Sequence, residues 1–131
     1  MDRIAISTDK APAAIGAYSQ GIKTGEIIFL SGQIGLNPAT MELQTDTFES
    51  EIRQVFRNLE SVCHACGSSL SSVVKTIVFL TDLGLFDEVN GVFTEKFTPP
   101  FPARSVVGVN ELPRGARVEI EAILSIPGAS N

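Results

Sequence analysis

Four large apolar residues stand in a row in Glu26-Ile27-Ile28-Phe29-Leu30-Ser31, and this run constrains the fold more than any other stretch. Successive side chains of a strand point to opposite faces, so both faces of this one must be covered. The segments 73–81 and 117–126 are similarly rich in β-branched and apolar residues, as strands of a sheet interior are. Such a sheet needs a layer on each side, and only two helices can supply one. The clearer covers residues 46–66, where Phe48, Ile52, Val55, Phe56, Leu59, Val62, Cys63 and Cys66 recur at helical spacing. Asp46 and Glu49 read as an approximate capping pair, and Gly67 as the stop. The other covers about 83–97, with Leu85, Phe86, Val89, Val92, Phe93 and Phe97 on its apolar face, and ends before Pro99-Pro100.

Further strands are predicted over 3–7, over 17–23 paired with 26–31 about Thr24-Gly25, and over 103–109 paired with 117–126. The last two flank the turn Glu111-Leu112-Pro113-Arg114-Gly115 and read as a β-hairpin. A loop at 35–44 contains Asn37-Pro38. The order β-β-β-α-β-α-β-β describes an α+β sandwich with two helices on one face of a sheet. Two helices cannot hide both faces, so the second face is expected to pack against further copies of the chain.

The chain has 131 residues, the size of one domain, and no linker or repeat divides it; residues 1–131 are read as a single domain. Hydrophobic residues make up 44%, which argues against disorder. Met1-Asp2-Arg3-Ile4 lacks the apolar core of a signal peptide and no run is long enough to cross a bilayer, so a cytoplasmic protein is expected, with no membrane partner. Net charge is −5, and the ten basic residues are scattered. Nucleic-acid partners need a positive footprint and are not expected.

Charge inside strands calls for a partner or a task. Arg104 lies in Pro102-Ala103-Arg104-Ser105, and Glu119 and Glu121 lie in Arg117-Val118-Glu119-Ile120-Glu121. A guanidinium can grip a carboxylate through two parallel hydrogen bonds, and a nearby glutamate can handle a water or a proton. That combination points to a site for a small carboxylic acid; a structural ion pair is the plainer alternative. Arg104 and Glu119 share a face only if opposed residue numbers sum to an odd value; an even sum puts Arg104 with Val118 and Ile120. The turn leaves both registers open.

Cys63-x-x-Cys66 brackets His64, the only histidine. Both cysteines fall on the apolar stripe, no second Cys or His pair completes a zinc site, and the helix C-terminus opposes a thiolate. Core packing is expected there, with no metal. The glycines match neither a phosphate-binding loop nor a dinucleotide fingerprint. Gly32 is the exception to a simple turn reading: it ends an apolar strand beside Ser31 and would let a ligand approach the backbone.

Gly16-Ala17-Tyr18-Ser19-Gln20, Ile27-Ile28-Phe29-Leu30-Ser31-Gly32-Gln33, Phe79-Leu80-Thr81-Asp82 with Val89-Asn90, Pro102-Ala103-Arg104-Ser105, Leu112-Pro113-x-Gly115 and Val118-Glu119-Ile120-Glu121-Ala122 occur in an order that resembles the Rid (YjgF-like) family of reactive-intermediate deaminases over nearly the whole chain. The resemblance implies a chorismate-mutase-like fold and a homotrimer with a central β-barrel-like core and clefts between subunits. It implies hydrolysis of enamines and imines, such as 2-aminoacrylate and 2-iminobutanoate, to 2-keto acids and ammonia, without metal or cofactor. Arg104 matches the carboxylate-holding arginine and Glu119 the water-positioning glutamate. Tyr18, Ser31, Gly32 and Asn90 match cleft positions, some contributed by a neighbouring chain. Val106 stands where several members have cysteine, which implies a change of pocket shape. Met41 stands where the loop often has glycine, which puts the usual turn there in question. A regulatory protein that senses a 2-keto or amino acid is the alternative reading; the ribonuclease or translation-inhibitor role attached to some relatives fits the acidic balance poorly.

Overall fold

The polypeptide alternates as the residue pattern predicts: β1 (Ile4–Ile6), β2 (Gly21–Thr24), β3 (Ile27–Gln33), α1 (Phe48–Ala65), β4 (Val73–Leu80), α2 (Phe86–Lys96), β5 (Ala103–Gly108) and β6 (Val118–Ser125). This computed structural model describes residues 2–128. The strands form one mixed sheet in the order β1-β2-β3-β6-β4-β5, with both helices on one face. β2 and β3 are joined by the tight turn Gly25-Glu26, where Gly25 takes a left-handed φ of 61°.

The sheet order corrects one expectation. Residues 103–109 and 117–126 do not form a hairpin. β5 runs parallel to β4, and β6 lies between β3 and β4, antiparallel to both. The connection through α2 is long enough to return the chain parallel to β4, which a tight turn cannot do. Burial explains why β6 takes the centre: Val118, Ile120, Ala122 and Leu124 are all buried, whereas β5 remains largely exposed at the edge.

The register decides the faces. Thr76 of β4 is flanked by Arg104 on β5 and by Ala122 on β6, so Arg104 faces the helices, on the side of Val118 and Ile120. Phe79 is flanked by Val107 and Glu119, so Glu119 faces away. With β4 between the two strands there is no direct β5–β6 register, and the two pairings of β4 put Arg104 and Glu119 on opposite faces.

Under the helices, Phe56, Phe93 and Phe97 pack edge-on or tilted with centroids 5.3–5.9 Å apart. Cys63 is fully buried there, and burial pushes its thiol up to about 12. Cys66 is half-buried, packed against the same core, and burial raises its thiol too. Such thiols fill space and are poor nucleophiles. Among the described residues, no three His, Cys, Asp or Glu side chains gather where a metal ion could sit. No helix among them is long and apolar enough to cross a membrane.

The cap of α1 is Thr47 with Ser50 rather than Asp46 with Glu49. Thr47 Oγ1 accepts from Ser50 N at 3.0 Å, and Ser50 Oγ accepts from Thr47 N at 3.2 Å. A hydroxyl reaches back over one turn as well as a carboxylate does, so the spacing tolerated a one-residue shift.

On the opposite face, no element among the described residues covers the sheet. Phe29 is 48% and Val107 40% exposed, and Ile77, Phe79 and Ile123 between them are half-buried. This is the uncovered apolar face anticipated from the strands.

Candidate functional site

A β-bulge seats the carboxylate. Between Leu30↔Ala122 and Gln33↔Ile120 the β3–β6 register slips by one residue, which loosens the ladder at Ser31-Gly32. The Glu119 side chain lies over that gap: a Cβ on Gly32 would come 2.9 Å from Glu119 Cδ and closer still to Oε2. Glycine is therefore needed at 32 to make room for the Glu119 side chain. Ser31 is anchored by its Oγ, which donates to Ser19 O at 2.5 Å.

Glu119 opens into a cavity of about 540 Å³, shared with Tyr18, Ser31 and Gly32. Its carboxyl is held above the ordinary glutamate range, first by burial and then by repulsion from Glu121. A carboxyl so placed can both take and return a proton closer to neutrality than a solvated one. The cavity wall is stapled by Gln20, whose Oε1 accepts from Thr8 N at 2.7 Å while Nε2 donates to Thr8 O and Pro12 O at 3.0 and 2.8 Å. Tyr18 Oη accepts from Ile15 N at 3.3 Å.

Three buried polar residues of α1, which the apolar periodicity did not single out, hold segments that lead into the cavity wall. Asn58 Nδ2 donates to Ile34 O and Leu36 O at 3.1 and 2.9 Å, and Gln54 Nε2 donates to Asn58 Oδ1. Glu51, fully buried, accepts from both N and Nε of Arg117 at 2.7 Å, two residues before Glu119. Their spacing of 51, 54 and 58 follows the flank of the apolar stripe; polar residues on that helical row are the signal a reading by hydropathy alone passes over.

Two loops at the cavity rim carry left-handed backbone at side-chain-bearing residues. Met41 and Arg114 each have φ 58°, a conformation that costs on the order of 1 kcal/mol without glycine. At Met41, where the resemblance put the turn in question, the backbone takes the left-handed conformation that glycine favours. Met41 N donates to Asn37 O at 2.7 Å.

Arg104 lies in a second hollow, of about 380 Å³, with Asn90, Thr94 and Phe101. Asn90 Oδ1 accepts from its Nη1 at 2.7 Å. Its guanidinium carbon stands 5.0 Å from the Phe93 ring centre and 5.2 Å from that of Phe86, within the range of cation–π attraction. Asp82 caps the short turn Leu83–Leu85 that leads into α2, accepting from Gly84 N at 2.8 Å. The result is an arginine held by stacking and one side-chain acceptor. Among the described residues it has no carboxylate partner, so a structural ion pair with Glu119 or Glu121 does not form.

Two groups of candidate residues therefore exist. Tyr18, Ser31, Gly32 and Glu119 meet in one hollow, and Asn90 and Arg104 in another, on opposite faces of the sheet. Among the described residues of one chain, no single hollow holds both Arg104 and Glu119. Val106 shares the Arg104 face but packs against the core and lines neither hollow.

A mixed sheet backed by two helices, with a carboxylate niche on one face and a stacked arginine on the other, defines the class of protein. Residues 8–126 match the family described as Endoribonuclease L-PSP, and the chain belongs to that family, which includes the Rid and YjgF proteins. It is 50% identical to RidA from an Antarctic Psychrobacter, whose crystal structure superposes with a TM-score of 0.91 over 95% of this chain and 100% of that one. It is 48% identical over 121 residues to a 2-iminobutanoate/2-iminopropanoate deaminase of Dermatophagoides farinae, covering 92% of this chain and 94% of the relative. The mouse protein of the same name is 45% identical over 121 residues, covering 92% and 90%.

Proposed function

We propose that the protein is an imine deaminase, which hydrolyses 2-aminoacrylate, 2-iminopropanoate and 2-iminobutanoate to 2-keto acids and ammonia in the cytoplasm. The names of its relatives support the reaction. The observation that carries the site is the opposed placement of Arg104 and Glu119: each half is shaped for its task, and a second copy of the chain brings them together. The apolar open face around Phe29 and Val107 supplies the surface for that association, and a closed ring of three copies, with a site at each junction, satisfies every half-site.

In this reading Arg104 binds the substrate carboxylate through the guanidinium edge that Asn90 leaves free. Glu119 of the adjoining copy holds a water against the imine carbon and accepts its proton as the C–O bond forms. Passing that proton to nitrogen gives the carbinolamine, which then collapses: Glu119 takes the hydroxyl proton as the C=O bond forms and delivers it to the amine, the C–N bond breaks, and ammonia leaves behind a 2-keto acid. Imines hydrolyse unaided, so orientation and general acid–base help worth about 10²–10⁴-fold suffice.

The test is ammonia release when the protein is added to a serine or threonine dehydratase reaction. Wild-type protein accelerates it; no acceleration, with a 2-keto acid still bound, would establish a sensing role instead. The shared site has its own assay. Arg104→Lys and Glu119→Gln are each nearly inactive, but unfolding and refolding a 1:1 mixture restores about a quarter of wild-type activity, because one junction in four pairs two intact halves. A mixture no more active than its parts sinks the shared site while leaving the deaminase reading standing. Gly32→Ala pushes the Glu119 carboxylate out of its niche and lowers kcat about tenfold or more; an unchanged kcat would show that this niche does not position the water.

The family description also names an endoribonuclease. The net charge of −5 and a carboxylate in the larger hollow oppose RNA binding there; RNA cleavage abolished by Glu119→Gln would reverse that judgement.

A further inference from the structure

The cavity around Glu119, at about 540 Å³, is far larger than a three- or four-carbon imino acid fills. What bounds its remaining space is unusual. Met41 and Arg114 both line it, both have φ 58°, and among the described residues they are the only non-glycine residues with positive φ. They belong to separate loops, yet one holds the other: Arg114 Nη1 donates to Met41 O at 3.0 Å. Glycine would remove the strain at either position. Keeping side chains at both points to a use for those side chains.

Arg114 is not a partner for the carboxylate. Among the described residues no ion pair joins the Arg114 guanidinium to Glu119. The cavity between is walled by apolar side chains, among them Ile15, Ile34 and Leu36. Once the substrate carboxylate is on Arg104 and its imine carbon at Glu119, this space is where the substrate's own side chain goes.

We infer that Met41 and Arg114 form a clasp that closes the side-chain end of the pocket and sets the size of the imine accepted. The inference rests on the proposed hydrolysis at Glu119. Met41 supplies bulk, and the Arg114 hydrogen bond fixes the loop that carries it. The pocket is thereby selective for imines with apolar side chains, up to a length the clasp determines.

The experiment compares kcat/KM for 2-iminobutanoate and for the larger imine of leucine, each generated by oxidation of its amino acid, in wild type, Met41→Gly, Arg114→Gly, the double variant and Met41→Leu. Glycine suits both backbone positions, so melting temperatures should hold or rise. The leucine-to-butanoate ratio should rise about tenfold in the double variant, less in each single glycine variant, and stay near wild type in Met41→Leu. A ratio within twofold of wild type in the double variant overturns the clasp, as does an equal fall for both imines. Wild type hydrolysing both imines, with that unchanged ratio, leaves the deaminase reading intact; wild type hydrolysing neither removes both.

Discussion

Lysine at position 104 lowers kcat/KM for 2-aminoacrylate hydrolysis by about 30- to 1,000-fold, equivalent to ~2–4 kcal/mol. The charge survives this substitution, so the size of the loss measures geometry. The guanidinium carbon stands 5.0 and 5.2 Å from two ring centres, and Asn90 occupies one of its nitrogens. An ammonium group cannot stack as a plane, donate to Asn90 and present two parallel hydrogen bonds to a carboxylate at once. Activity within threefold of wild type, with a folded protein, would defeat the carboxylate clamp. Phe86 and Phe93 acquire a second task in this light: besides packing α2, they hold the arginine to one orientation, which spares ordering cost on binding.

The largest loss of stability is expected from Glu51→Ala. This carboxylate is fully buried and accepts from Arg117 N and Nε at 2.7 Å. Removing it leaves a backbone N–H without its partner, a cation stripped of its counter-charge, and a void beside Gly35, where an added Cβ would come 3.0 Å from Glu51 Cγ. Arg117 is partly solvated, which softens the loss to on the order of 3 kcal/mol. A fall in Tm of about 10 °C follows for a chain of this size. Glu51→Gln keeps the shape and an acceptor, so its loss should be less than half as large. Equal losses would mean that charge, not packing and acceptor geometry, is what Glu51 provides; no loss from alanine would remove the latch altogether.

Much of this architecture is legible along the chain because its causes are local. The apolar recurrence from Phe48 to Cys66 specified α1 and its buried face, and the Thr24-Gly25 turn specified the β2–β3 pair. Where the reading slipped, the competing interactions were distant ones. Arg104 and Glu119 sit on segments joined by a turn-like loop, and adjacency in sequence favoured a hairpin. Burial of β6 on the helix face, together with the crossover through α2, placed β4 between them instead. Nothing in the apolar pattern marks Glu51, Gln54 and Asn58 as buried; that follows from contacts with the remote segment 34–36 and with Arg117 at the start of β6.

What the residues dictate before any folding is therefore the kind and order of elements, the stretch each helix buries, and the presence of an arginine and a glutamate in strands. Those follow from side-chain periodicity and turn chemistry, which act over a few residues. Strand neighbours, the face each charge occupies, the bulge that seats Glu119 over Gly32, and the left-handed pair Met41 and Arg114 emerge only when the sheet is assembled. In a sheet the facing of every side chain depends on one integer, the register, and that integer is chosen by the sum of many remote contacts.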